Sequence, residues 1–369
     1  MLSVQMLTSL ALLSALLMKY AASVVNNYRV RKQMPPGPPG LPLLGNIFQL
    51  TRSPWLRFVE WKDHYGSIFS LNLAGQPTVV INDFTTAADL LDRRSHIYSS
   101  RPRFIVANEI LTGNMILSFM EYGPLWRKMR RAAHEAFNIR SSQSNRRLQE
   151  KGSVVLASSL LEDSSQWEEI LQRSTASTVL CAIYDQAATE MGLDAIGGRV
   201  GEMLKRLSNA CLPGRYLVEY FPMILHLPDM LAKWKREGKE FFKKDTIMFE
   251  GLMDSVRMKM NAGETRACLA TALIEDEKNY DLGAQKKSLA SRNYCDDWYN
   301  GYLIPKGTLV IWNTWGMNRD PKYFPDYEEF RPERYLDDAG QLSEPIPDTH
   351  AQGHFTYGSG KRYAEPLLM

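Results

Sequence analysis

The sequence has few cysteines and almost no excess of charge of either sign. Its 369 residues include four cysteines, none close to another, which excludes a disulfide scaffold and a Cys-x-x-Cys zinc site. Lys and Arg number 44 against 41 Asp and Glu, so there is no basic surplus of the kind that nucleic-acid binding needs. Internal repeats and a phosphate-binding glycine loop are also lacking. With 44% hydrophobic and 23% charged residues, the composition is that of a globular protein with a packed core.

A long apolar run occurs at the N-terminus, over residues 2–25. It reaches the length of about 20 residues that a membrane-spanning helix needs, provided that Lys19 extends toward the headgroups. Arg29 and Lys32 follow the run, and no cation precedes it. The positive-inside rule therefore predicts a single-pass signal-anchor over 1–25 with the rest of the chain in the cytosol. A cleaved signal peptide is the alternative, although it would carry its positive charge before the run.

Residues 26–46 are predicted to form a basic and then Pro-rich hinge. The stretch MPPGPPGLPLLGN, residues 34–46, holds four closely spaced prolines. Each proline fixes its own φ and disfavours helix in the residue before it. The prediction is a stiff, extended spacer that fixes how a cytosolic domain stands off the membrane; a generic Pro-rich linker is the alternative.

The rest of the chain mixes a small amount of strand with a long helical region. Residues 67–81 alternate like a hairpin with Gly75 at its turn, and Asn82 to Thr86 should open a short helix that buries Leu90 and Leu91. The pattern is mostly helical over 140–290. Strand signal returns at 302–311, and 318–350 is typical of an irregular meander. These patterns predict a mainly α fold with a small β-sheet, in the α+β class.

One long amphipathic segment should begin at Pro228-Asp229 and end near Gly263. Its apolar side chains recur at helical spacing and are predicted to face one way as core, with Lys and Glu on the other side. They are Leu231, Trp234, Phe241, Phe242, Phe249, Leu252 and Val256.

Eight segments together carry a family resemblance. They are the apolar N-terminus, PPGPPGLPLLGN, the 67–81 hairpin, Trp126-Arg-Lys-Met-Arg130, Gly301-Tyr-Leu-Ile-Pro-Lys-Gly-Thr308, Asp320-Pro321, Phe330-Arg-Pro-Glu-Arg-Tyr335 and Phe355-Thr-Tyr-Gly-Ser-Gly-Lys-Arg362. In this order, they resemble the membrane-anchored, fungal-type cytochrome P450 family. The resemblance covers most of the chain and implies an incomplete P450-like domain over 47–369.

The resemblance implies a heme-thiolate monooxygenase with heme b as its cofactor. Such an enzyme oxidises a small hydrophobic substrate, for example a secondary metabolite, with O2. The electrons come from a membrane-bound NADPH-cytochrome P450 reductase. The expected location is the endoplasmic reticulum membrane, with the catalytic domain in the cytosol.

Four residues match the family's heme-propionate contacts. Trp126 and Arg130 are four residues apart and therefore share one helix face, and Arg can bind a carboxylate through two parallel charge-assisted hydrogen bonds. Arg362 matches a second propionate arginine, and Arg101 in YSSRPRF is a looser match. From the residues alone, the alternative for Trp126 and Arg130 is an ordinary basic amphipathic helix. His134 is predicted to be a packed or surface histidine and not an iron ligand.

The sequence departs from the family pattern in two places. The ligand cysteine should follow Arg362 by two residues, but Ala364 stands there, and alanine has no donor atom for the iron whose thiolate promotes O–O cleavage. An internal deletion is predicted near 290–296, where the distal oxygen-activating helix and a Glu-x-x-Arg helix should lie. Its expected size is roughly a hundred residues.

Nothing nearby replaces the missing parts. Ala262-Gly-Glu-Thr265 and Glu328-Glu-Phe-Arg331 resemble the two lost motifs, but each occurs in the wrong context and is interpreted as chance. Two residues could be considered as replacement iron ligands. Cys295 lies at the predicted junction and is interpreted as an ordinary residue there, and His354 lies ten residues before position 364. Besides the monooxygenase, the sequence leaves two alternatives: a catalytically inactive remnant or mis-spliced gene product, and a membrane-tethered, non-catalytic binding protein.

Overall fold

The computed structural model describes residues 30–41, 44–51, 53–136, 139–185, 193–212, 214–266, 268–275, 295–337 and 339–349. The chain divides into two compact units. We call residues 1–100 with 291–364 the sheet unit, and residues 101–290 with 365–369 the helical unit. The predicted signal-anchor and positions 362 and 364 lie outside the described residues. None of the described helices is long and apolar enough to cross a membrane.

The sheet unit contains two small sheets. Its strands are β1 (Ile68–Leu73), β2 (Gln76–Ile81), β3 (Asp297–Tyr299), β4 (Tyr302–Ile304) and β5 (Leu309–Trp312), and its described helices are α1 (Pro54–Tyr65), α2 (Phe84–Ala87), α3 (Ser95–Tyr98) and α10 (Thr314–Met317). One sheet has three strands in the order β1-β2-β5, and β3 pairs separately with β4. Strand β1 runs antiparallel to β2, and β2 runs parallel to β5. The 3-10 turns Ile47–Gln49 and Pro332–Tyr335 and the six-residue π-helical turn Ala88–Arg93 supplement them.

The predicted hairpin is confirmed. Leu73 pairs with Gln76, and Ala74 and Gly75 between them both have positive φ, 50° and 88°, as a two-residue hairpin turn requires. The predicted short helix is confirmed as well. Asp83 accepts a hydrogen bond from the Thr86 amide at 2.8 Å and thereby caps α2.

Both faces of the three-stranded sheet are covered. On one face, Trp61 of α1 packs edge-on against Phe69, with ring centroids 5.9 Å apart. On the other, Val79 and Ile81 meet Leu90, which is fully buried as predicted. Strand β1 is therefore buried over its first four residues, and the polar-out alternation expected of a surface hairpin is absent from it.

The Pro-rich segment lies along β1. The Ser70 amide donates to the Pro36 carbonyl at 2.9 Å, and the Ser70 hydroxyl donates to the Pro35 carbonyl at 2.6 Å. Fully buried Asn46 donates to the Pro38 carbonyl at 3.0 Å and accepts from the Asn72 amide at 2.8 Å. These buried bonds satisfy backbone groups on both segments. Residues 35–40 are non-helical, as the prolines predict.

Among its described residues, the helical unit has six helices and four shorter turns. The helices are α4 (Pro124–Ala136), α5 (Ile139–Glu162), α6 (Trp167–Tyr184), α7 (Leu193–Ala210), α8 (Lys233–Ala262) and α9 (Leu269–Glu275). A six-residue π-helical turn spans Ile105–Ile110, and 3-10 turns span Ser164–Gln166, Leu217–Glu219 and Pro222–His226. With the small sheets of the other unit, this confirms a mainly α protein of the α+β class.

The long amphipathic segment is confirmed as one helix, although its predicted start and part of its core face are wrong. Helix α8 begins at Lys233, five residues after Pro228, and ends where Gly263 adopts φ 73°. Leu231 precedes the helix and is 72% exposed. Leu252 and Val256 are buried as predicted. The buried face also includes Gly238, which was not predicted; Ile110 approaches it so closely that a Cβ there would lie 2.6 Å from the Ile110 side chain.

The turn at 105–110 forms the centre of the helical unit's largest cluster of buried side chains. Ile105 and Val106 are nearly inaccessible and pack with Leu207 and Val218. Glu219 accepts hydrogen bonds from the Ile105 amide at 2.9 Å and the Val106 amide at 2.8 Å. It therefore satisfies donors at the start of this turn that have no partner within the turn itself.

The meander at 318–350 is irregular, as predicted, and Arg334 holds it together. The guanidinium of Arg334 donates to four backbone carbonyls at 2.8 to 3.0 Å, those of Pro325, Asp326, Glu329 and Arg331. One arginine thus fixes the path of residues 325–334 by bonds that involve no other side chain.

Candidate functional site

The two predicted propionate residues of α4 lie on the same side of one helix. Proline at the first position suits a helix start, and the four-residue spacing then aligns Trp126 with Arg130. Trp126 is 5% exposed and packs on Tyr122, with ring centroids 5.2 Å apart. Arg130 is half-buried, and His134 is exposed, in agreement with the interpretation of His134 as a surface residue.

A second row of α4, rotated by about 100° from the first, presents cations to solvent. Arg127 and Arg131 are both exposed and are also four residues apart, so they form a second row on the helix. The basic character that suggested an ordinary amphipathic helix therefore belongs to one face, and Trp126 and Arg130 belong to the other.

Arg101 is the third predicted residue in the helical unit. It is largely buried, and burial lowers the pKa of its guanidinium because the charged form is desolvated. Within the described part of the chain, no carboxylate pairs with it, whereas nearby Arg103 pairs with Glu109. A buried cation without a counter-charge is costly, so Arg101 suits an anion that is bound from outside the chain.

The iron-ligand side of the predicted site lies elsewhere in the sequence. Arg362 and Ala364 fall outside the described residues. Among the described residues, no cluster of three His, Cys, Asp or Glu side chains could hold a metal ion, and Cys295 is exposed. The residues present therefore fit the carboxylates of a heme, but position 364 offers its iron no ligand atom.

A cavity of about 760 Å³ opens in the helical unit. Its wall combines residues 111–116, which follow the 105–110 turn, with one side of α8. Seven of its thirteen lining residues are apolar: Leu111, Met115, Ile116, Met203, Phe242, Phe249 and Met253. The volume lies within the range of about 300–1,000 Å³ that is usual for small-molecule sites.

Sequence reasoning missed this cavity and Glu219. The cavity joins residues more than 130 positions apart, so no local pattern could show it. The only signal for Glu219 was an acidic residue within the apolar stretch 216–225, since its burial and its bonds to 105 and 106 depend on the fold.

Comparison with known proteins places the sequence in one family. The cytochrome P450 family model matches residues 35–293 and 287–363. Cytochrome P450 monooxygenase 58 of Postia placenta is 42% identical over 406 residues, covering 89% of this chain and 77% of that protein. Cytochrome P450 monooxygenases of Armillaria gallica and Amanita muscaria are 34% and 30% identical, covering 90% and 93% of this chain and 78% and 74% of the relatives.

The comparisons also bear on the predicted incompleteness. The Postia alignment spans 406 positions, whereas 89% of 369 residues is about 328, so about 78 positions of the relative have no counterpart here. The two parts of the family match meet at 287–293, beside the predicted deletion. The second part ends at Tyr363, one residue before Ala364.

The matches support a P450 monooxygenase function and favour neither the remnant nor the tethered binding protein. They also imply heme as the family's cofactor. The motifs, the α+β architecture and the match over residues 35–363 agree, and the chain belongs to the cytochrome P450 family.

Proposed function

We propose that this protein binds heme and a small hydrophobic substrate at a membrane surface, with the substrate in the cavity of the helical unit. The two-part match to the P450 family over residues 35–363 carries the proposal. The cavity supports the substrate class because its lining is mainly Leu, Ile, Met and Phe, and burying apolar ligand surface there contributes about 25 cal/mol per Å².

Trp126, Arg130, Arg101 and Arg362 would hold the heme propionates. When bound, heme supplies the iron at which dioxygen is activated. Arg130 supplies charge on the inner side of α4, while Trp126 fixes that side through its packing on Tyr122. Arg101 adds a desolvated charge. Because Ala364 offers no ligand, these residues account for retention of heme and not for activation of its iron.

Membrane association is part of the proposal. Six apolar side chains within 217–231 are between 40% and 84% exposed: Leu217, Phe221, Met223, Leu227, Met230 and Leu231. We call this stretch the apolar ridge. Lys233, Arg236 and Lys239 follow it closely, and cations beside exposed apolar groups suit an interface with anionic headgroups. A lipid bilayer is therefore the partner we assign to the ridge, alongside the N-terminal anchor expected over 1–25 and location at the endoplasmic reticulum.

The NADPH-cytochrome P450 reductase is the proposed electron donor. Arg127 and Arg131 present charge on the solvent side of α4, and such a surface steers an acidic partner. The same helix would then hold the heme on one side and receive the reductase on the other.

Adjacent residues of α4 provide a matched test. The full chain is expressed in yeast microsomes with heme supplied, and heme per chain is measured by the pyridine hemochrome method. Arg130→Met should lower heme content several-fold, because a paired charge contributes about 1.5–3 kcal/mol. Arg131→Met should retain heme and weaken reductase binding at low salt.

The two variants also give the results that would contradict the proposal. Equal heme content in Arg130→Met and Arg131→Met would contradict the proposal that Arg130 binds a heme propionate. Absence of heme from the unaltered chain would contradict cofactor binding altogether.

A further inference from the structure

The charges around the cavity distinguish between ligands that its apolar lining would accept equally. Four ionisable side chains reach it, all on α8: Asp245, Glu250, Asp254 and Arg257. Their neighbours decide which of these charges remain for a ligand.

Two of the three carboxylates are already neutralised. Asp245 is 9% exposed and accepts from one nitrogen of Arg206 at 3.0 and 2.8 Å. Asp254 pairs with Arg257 at 2.8 Å. A further anion or cation gains little from either pair.

Glu250 differs from both. No Lys, Arg or His of the described residues forms an ion pair with it, and it lies four residues before Asp254 on the same helix. Because Asp254 already has Arg257 as its counter-charge, Glu250 is the carboxylate at the cavity that remains for a ligand. A cation placed between the cavity and Glu250 would be attracted to it, whereas a carboxylate would be repelled.

We propose that the cavity selects hydrophobic molecules that carry one protonated amine, seated against Glu250. The inference rests on the proposed function, since it takes the cavity to be the substrate site. It narrows the substrate class: an apolar body fills the space between 111–116 and α8, and the ammonium group faces Glu250. Fatty acids and other carboxylates of the same size are disfavoured.

Three probes of equal length test the proposal: octylamine, octanol and octanoate. Each is titrated calorimetrically into the full chain in nanodiscs at about pH 7, where the amine is charged and the acid ionised. The amine should bind about 3-fold to 5-fold more tightly than the alcohol, the range of an exposed ion pair. Octanoate should bind more weakly than the alcohol.

Glu250→Gln should reduce the affinity for octylamine to that for octanol and leave octanol unchanged. Glu240→Gln is the matched control, because Glu240 lies on the same helix and pairs with Lys244 at 2.7 Å; it should change none of the three. Equal binding of amine and alcohol by the unaltered chain would overturn this inference and leave the proposed function intact. No binding of any probe would overturn both.

Discussion

Replacing Gly37 by alanine should detach the Pro-rich segment from β1. An added Cβ would lie 1.9 Å from the Ser70 carbonyl oxygen and 3.0 Å from its carbon. Normal contacts between such atoms are about 3.5 Å, so the segment would have to shift by more than about 1 Å. The collision is with backbone, which cannot rotate away as a side chain would.

That shift breaks two hydrogen bonds that Ser70 donates: one from its amide to the Pro36 carbonyl and one from its hydroxyl to the Pro35 carbonyl. Ser70 is only 3% exposed, so water does not readily replace them. Each bond contributes about 0.5–1.5 kcal/mol, and each buried group left without a partner costs about 1–3 kcal/mol. The expected loss of local stability is about 2–4 kcal/mol.

Hydrogen exchange of the Ser70 amide measures this loss directly. Protection should fall about 30-fold to 1,000-fold in Gly37→Ala. Gly123→Ala is the control, since no atom lies within 4 Å of its added Cβ and its effect should stay within about 0.5 kcal/mol. Unchanged protection of Ser70 in Gly37→Ala would refute the reasoning.

Three further predictions concern Arg334, Glu219 and the apolar ridge. Arg334→Met should loosen the meander by about 1–3 kcal/mol, since four partly solvated hydrogen bonds are lost; proteolysis between 325 and 334 would report it. Burial raises the pKa of Glu219 above the usual 4.5. The free energy of unfolding, measured with urea, should therefore fall as the pH rises from 4.5 through that raised pKa, and Glu219→Gln should abolish this fall. Met223→Asp should weaken binding to anionic vesicles about tenfold, as measured by flotation.

Each of these predictions has a contrary result, and those for Arg334 and the apolar ridge also have a control variant. Arg331→Met, which loses one surface ion pair with Asp326, should leave the meander resistant to protease; equal cleavage of both variants would contradict the role of Arg334. A pH profile of Glu219→Gln that matches the unaltered chain would contradict the role of Glu219. Met258→Asp, at an exposed site on α8, should not affect flotation, and an equal loss there would argue against the ridge.

Local sequence signals were sufficient to predict those elements whose structure depends mainly on neighbouring residues. The 67–81 hairpin followed from alternation and Gly75, and the helix after Asp83 followed from its capping residue. The start of α8 was misplaced because Pro228 resembles a helix start, whereas residues 228–231 form a turn before it. Helical spacing alone did not distinguish exposed Leu231 from buried Leu252.

Features that depend on distant contacts were not predictable in this way. The Pro-rich composition indicates an extended segment, but its bonds to Ser70 and Asn72 depend on the position of β1. The resemblance includes the segment that contains Arg334, but the bonds from its guanidinium to backbone carbonyls of its own meander depend on how that meander folds. The placement of Trp126 and Arg130 on one side of α4 was predictable because a four-residue spacing suffices to align them; their role as propionate contacts came from the family resemblance and stays a prediction.

The reduced, carbon monoxide-bound absorption spectrum of the expressed full chain tests the central claim most directly. That claim is that this member of the P450 family retains residues for the heme propionates while the ligand position holds Ala364. Because the band near about 450 nm requires a thiolate on the iron, we predict that the chain shows no such band. A clear band there would contradict the account and would show that another cysteine, such as exposed Cys295, reaches the iron.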